Sequence, residues 1–234
     1  MKKIILLISI LLLLSSCWNN PSKDLFTNNY NKETKTLNLS NQKLTKIPDF
    51  KTISDLDDTK SVKSINLSKN SIKILNKDDL AMFWNLKELD LSSNQITSVD
   101  FSLNQIEKIN LSKNNIKTWT GFITNSLSIK ELNLSNNLLE NIDWFNNYKN
   151  LISIDLDNNK LKDSSLTEFW KFKNLKYLWI SWNKITEKLK KNIDKINTLN
   201  KTIKSSQSEE KTTVKNLNLD ISSQNLKSSQ SEEK

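Results

Sequence analysis

Neither histidine nor arginine occurs in the 234-residue chain, and all 35 basic residues are lysine. Without imidazole there is no His acid–base catalysis and no His metal site; without guanidinium there are no bidentate forks on phosphate. A single Cys excludes an internal disulfide framework and any multi-Cys metal cluster. Only one Gly and two Pro are present. An average chain of this length carries roughly 16 glycines, at about 7% usage. Much of the catalytic repertoire is therefore missing. What remains is rich in Lys, Asn, Ser and aliphatic residues, with a formal charge of +9. That excess favours solubility and weak attraction to polyanions, and does not by itself mark a nucleic-acid binder.

The N-terminus reads as an address. Lys2 and Lys3 precede an apolar run from Ile4 to Leu14 broken only by Ser9. At ~1.5 Å per helical residue, that run spans about half of a ~30 Å hydrocarbon core, which suits a signal peptide better than a membrane span. Leu14-Ser15-Ser16-Cys17 follows. It resembles the lipobox of bacterial lipoproteins, which implies diacylglyceryl transfer to the Cys17 thiol, cleavage before it and function outside the cytoplasm. Removing residues 1–16 takes two lysines with it and leaves +7. The residue after Cys17 is Trp18, so the Asp of the usual inner-membrane retention signal is missing. Residues 17–33, Asn-rich and containing Pro21, read as a polar tether.

The body repeats. One copy is Leu86-Lys-Glu-Leu89-Asp-Leu91-Ser-Ser-Asn94-Gln-Ile96. The same frame recurs around Ile65 and Asn70, Ile109 and Asn114, Leu132 and Asn137, Ile154 and Asn159, and Leu178 and Asn183. A partial first copy runs from Leu37 to Leu44, with Gln42 in place of Asn, and successive copies are 28, 24, 20, 23, 22 and 24 residues apart. Each Leu-x-Leu suits a short strand with its anchors inward and its intervening residues outward. One turn cannot bury its apolar row alone, whereas stacked turns share a continuous core. Phe83, Phe145 and Phe169, in the segments between strands, are expected to fill that core from behind the sheet. An amide entering the core where the strand ends can satisfy backbone groups whose loss would cost ~1–3 kcal/mol each. Asn70, Asn94, Asn114, Asn137, Asn159 and Asn183 are accordingly read as scaffold.

This frame resembles the leucine-rich-repeat family, and specifically the internalin-like repeats of bacterial surface proteins. The resemblance implies an α/β repeat solenoid: a curved right-handed array with a parallel sheet on the concave face and short helical or 3-10 returns on the convex face. About seven repeats span residues 34–188. The internalins' dedicated N-terminal helical cap and Ig-like neighbour are not recognisable, so a host-adhesion role does not carry over. The long, irregular first copy serves instead as a makeshift cap in this reading.

Beyond Ile185, Leu189, Ile193, Ile196 and Ile203 fall on one helical face, predicting a capping helix over 189–204. Residues 205–234 contain Lys-Ser-Ser-Gln-Ser-Glu-Glu-Lys in full once, ending at Lys234, and all but the first Lys of an earlier copy ending at Lys211. This segment reads as a mostly disordered low-complexity tail.

Seven Trp beside one Gly is an inverted ratio. Trp18, Trp84, Trp170, Trp179 and Trp182 stand where turns or small residues are expected, which suggests UGA codons that the cell reads as Gly. Trp119 argues the other way, because other copies have Leu75, Val99 and Ile142 at its position.

The outward strand positions include Glu88, Asp90, Lys108, Asn110, Glu131, Asn133, Asp155 and Asp157, together with Ser64, Ser68, Ser92, Ser112 and Ser135. Five carboxylates against one Lys make this face acidic on a basic protein. With Tyr177 and Trp179 as an aromatic patch at its C-terminal end, the face is the candidate surface for an unidentified protein or peptide. The expectation is a membrane-anchored binding module, with no cofactor, metal, nucleic acid or catalysis. The alternative is an envelope scaffold holding anionic cell-wall polymer through Lys-rich surfaces.

Overall fold

The computed structural model describes residues 20–191 apart from 54–55, 77, 100–104, 119–127, 143–147, 164–173, 188 and 190. The signal peptide, Cys17, most of the expected capping helix and the duplicated tail lie outside the described residues.

One eight-stranded sheet organises the molecule, with strands in chain order. Strand β1 (Tyr30–Asn31) pairs antiparallel with β2 (Thr36–Asn38). From β2 onward every pairing is parallel: β3 (Ser64–Asn66), β4 (Glu88–Asp90), β5 (Lys108–Asn110), β6 (Glu131–Asn133), β7 (Ser153–Asp155) and β8 (Tyr177–Trp179). The central residues Leu37, Ile65, Leu89, Ile109, Leu132, Ile154 and Leu178 are in register, so unequal repeat lengths are absorbed entirely in the returns. Each is buried, as is the second anchor two residues later, from Leu39 to Ile180.

The chain leaves each strand by a common device. The residue before the ladder amide is left-handed in every copy, at Asn41, Lys69, Ser93, Lys113, Asn136, Asn158 and Trp182, with φ between 53° and 58°. That kink turns the next side chain inward. Asn114 Nδ2 donates to the carbonyls of Leu91 and Leu111, both at 3.0 Å, and its Oδ1 accepts from Ile96 N–H at 2.9 Å. Asn94, Asn137 and Asn159 repeat the pattern. Asn70 and Asn183 do so at the two ends. Each amide thus joins its own turn to the turn before it.

The described convex returns carry short 3-10 pieces and turns. Phe50–Ile53 and Asp57–Ser61 are 3-10 helices, and Leu80 to Leu86 is a run of turns. Phe50, Ile53, Phe83 and Tyr148 fill the core behind the sheet. Phe145 and Phe169, expected to do the same, lie outside the described residues.

The N-terminal expectations need correction. Within 17–33, expected to be a tether, Pro21–Asn29 forms helix α1, followed at once by β1. Asn20 caps the helix, its side chain accepting from Ser22 and Lys23 N–H, and Pro21 sits at the first turn where its missing donor costs nothing. Phe26 is buried, stacked on Tyr30 at 5.0 Å and near Phe83 at 6.5 Å. Phe83 in turn meets Phe50 edge-on at 5.3 Å. A helical N-terminal cap is therefore present. It closes the first turn's open apolar end, while β1 covers the edge of β2. With one buried apolar residue in nine, α1 shows no helical stripe to a periodicity search. At the other end, residues 187, 189 and 191 are helical and Leu189 is buried.

Replacing Asn114 by Leu leaves two carbonyls and one N–H inside the core without their partner. Urea denaturation should show a loss of ~3 kcal/mol or more. The same change at half-buried Asn183, where water reaches the freed groups, should cost measurably less. Phe26→Ala should cost ~3–5 kcal/mol, whereas an unstructured tether would show no loss.

Candidate functional site

The outward residues of the parallel strands line an open trough of about 620 Å³. Two rows cross it. The first is Ser64, Glu88, Lys108, Glu131 and Ser153, followed by Tyr177; the second is Asn66, Asp90, Asn110, Asn133, Asp155 and Trp179. Strand pairing places neighbours in each row roughly 4.8 Å apart along the sheet, so charge in the rows is read at close range.

In the first row Lys108 Nζ lies 3.7 Å from Glu88 Oε1 and 3.6 Å from Glu131 Oε1. All three side chains are about half exposed, so the pairs contribute little stability. Their consequence is electrostatic: one ammonium is shared between two carboxylates, and Asp90 and Asp155 add two more to the lining. The trough is acidic.

The second row has a task besides facing solvent. Oδ1 of Asn38, Asn66, Asp90, Asn110, Asn133 and Asp155 accepts the backbone N–H two residues on, at 2.8–3.2 Å. These Asx turns bend the chain out of the strand. Four residues assigned to partner binding, Asp90, Asn110, Asn133 and Asp155, therefore also hold the scaffold. The recurrence of Asn or Asp at one frame position is the sequence signal for this role.

Two further placements differ from the sequence reading. Ser68, Ser112 and Ser135 are buried in the turns rather than facing outward. Asp157 does not line the trough; its Oδ1 accepts Ser181 N–H at 2.5 Å. Trp179 occupies the frame position where earlier copies have the Asx acceptor, and Asp157 of the preceding turn supplies the acceptor instead. Tyr177 and Trp179 stack with ring centroids 5.8 Å apart at the C-terminal end of the trough. Among the described residues no group of His, Cys, Asp or Glu could hold a metal ion. No described helix is long and apolar enough to cross a membrane.

Alongside the first row runs its charge inverse. Glu107 Oε2 is 2.6 Å from Lys130 Nζ and its Oε1 3.2 Å from Lys87 Nζ. Hydrogen bonds from Lys130 first, and Lys87 second, hold the Glu107 carboxyl below the ordinary carboxylate range. A depressed native pKa means these pairs persist above the unfolded carboxylate pKa and are lost as pH falls through the native one. Lys130→Met should raise the Glu107 pKa in a carboxyl-detected NMR titration. An unchanged value would show that the pair does not persist in solution.

A leucine-rich-repeat family model matches residues 32–96 and 127–185, and a prokaryotic membrane lipoprotein lipid attachment site matches residues 1–17. A search of curated proteins finds no match. Among solved structures, an internalin from Listeria monocytogenes is 23% identical, covering 58% of this chain and 46% of its own, with a TM-score of 0.43. The Toll–Spätzle complex from Drosophila gives 22% identity, coverage of 64% and 20%, and a TM-score of 0.53. A TLR13–ssRNA13 complex gives 25%, 67% and 24%, and 0.52. The chain thus spans less than half the length of each of these proteins, and the likeness concerns the repeat fold. The chain belongs to the leucine-rich-repeat family and carries a lipoprotein attachment site that anchors it to a membrane, with its repeats exposed outside the cytoplasm.

Proposed function

We propose that this chain is a membrane-tethered binding module whose concave trough takes a cationic segment of a protein or peptide. The observation that carries the reading is the trough itself: Glu88, Asp90, Glu131 and Asp155 line it with a single ammonium, Lys108, on a protein whose total charge is positive. Segregating acid onto one face gives a local potential that attracts cations and disfavours phosphate backbones. The family fold supports binding by a rigid curved surface, and the lipid anchor restricts partners to the membrane surface. Cys17 is the residue assigned to carry the lipid. Tyr177 and Trp179 form the apolar end of the surface in this reading, where a partner's aliphatic or aromatic side chain would be desolvated.

The test uses the full mature chain in detergent and a lysine-rich peptide as probe. Glu88→Gln with Glu131→Gln should weaken binding about tenfold at low salt, roughly 1.4 kcal/mol, and the difference should shrink as salt rises. Equal affinity for the double variant would overturn the assignment of the trough. If polyphosphate bound instead, with steep salt dependence and no response to the trough variants, the Lys-rich surfaces outside the trough would be the binding surface. Separately, mass spectrometry of the membrane-extracted chain should find a thioether-linked diacylglyceryl group on Cys17. A free Cys17 thiol on membrane-bound chain would remove that residue as the anchor.

A further inference from the structure

Position 182 is the least explained residue in the fold. It is the left-handed residue of the last copy, with φ 58°, in the turn that aims Asn183 inward. Left-handed backbone brings Cβ against the following carbonyl, a clash that Gly escapes and Asn tolerates. Three equivalent positions are indeed Asn: 41, 136 and 158. Lys69, Lys113 and Ser93 share the conformation, so backbone angle alone does not single out Trp182. Its chemistry does. The equivalent residues at 41, 69, 93, 113, 136 and 158 are all polar and all exposed except the partly buried Ser93, whereas at 182 a large apolar ring is 83% exposed and contributes nothing to the core. An aromatic side chain therefore gains no burial there to offset the left-handed backbone.

Composition supplies an independent line. Pressure toward A and T depletes Gly, but it also depletes Trp, whose UGG codon is as G-rich as the glycine codons. It cannot by itself produce seven Trp and one Gly. A cell that reads UGA as Gly would produce that ratio on conceptual translation, since a single base change under the same pressure converts GGA to UGA. The other exposed examples fit. Trp84 is 63% exposed in a turn beside buried Phe83, and Trp179 interrupts a row of Asn and Asp.

We propose that residue 182 is glycine in the protein as its own cells make it, encoded by UGA and rendered as Trp only by translation with a different code. The trough's carboxylates do not involve position 182, so the charge-based reading of the trough is tested separately, whereas its apolar end at Trp179 shares the fate of this inference. Under the same decoding the Tyr177–Trp179 stack becomes a lone Tyr177.

The protein purified from its native cells decides the matter. Trypsin releases Tyr177–Lys184, which carries both positions, and tandem mass spectrometry should place Gly at 182; Trp there would overturn the proposal. A stability measurement checks the physical premise on the recombinant chain. Trp182→Gly should raise Tm by about 2–4 °C, whereas Trp182→Ala, which keeps Cβ, should gain less. A Gly variant melting no higher than the Ala variant would also overturn it.

Discussion

The inward amide is the interaction on which the rest of the structure depends. Parallel strands only three residues long offer few hydrogen bonds, and the turns between them leave carbonyls and N–H groups facing an aliphatic core. Each ladder Asn supplies donors to two turns and an acceptor to the earlier one. This reciprocity explains why the side chain is an amide. Asp would lack the donors and Leu would lack both functions. It also makes the fold quasi-one-dimensional, because the stitching reaches one neighbour on either side and no further.

That dependence explains what the sequence discloses. Every requirement repeated in each turn leaves a periodic trace: residue spacing alone locates the aliphatic anchors, the amide and the strand register. Return lengths vary from copy to copy, yet Leu37 still aligns with Ile65 and Leu89 with Ile109, because register is set by the anchors. Features that occur once leave no such trace. Helix α1 uses one buried ring, Phe26, and its capping pair Asn20-Pro21 is a signal that a polar, Asn-rich stretch conceals. Ser68, Ser112 and Ser135 depart from expectation for a related reason. Strict alternation of inward and outward positions ends with the strand, and two residues further on the Asx turn has already rotated the chain.

The candidate surface is legible in the sequence as a set of outward positions but not as a division of labour. Asp90 and Glu88 look alike in a count of carboxylates. In the structure Asp90 closes the turn through Ser92 N–H, whereas Glu88 meets the neighbouring Lys108. Asp157, counted with them, serves the next turn's Ser181. Separating these roles requires the hydrogen bonds, because the same residue types satisfy solvent, turn and partner equally well.

The two rows therefore carry different amounts of information about binding. In the second row the turn demands a side-chain oxygen at a fixed reach, and Asn and Asp meet that demand alike; Asn38, Asn66, Asn110 and Asn133 show that charge is not required. Negative charge at Asp90 and Asp155 is then in excess of what the fold needs. In the first row the backbone imposes nothing beyond exposure, and Ser, Glu, Lys and Tyr all occur. A single lysine with one glutamate on each neighbouring strand lowers the self-repulsion of an acidic surface without neutralising it. The concentration of these charges over β4 to β7 is therefore a property of the exposed rows that neither the turns nor the core requires.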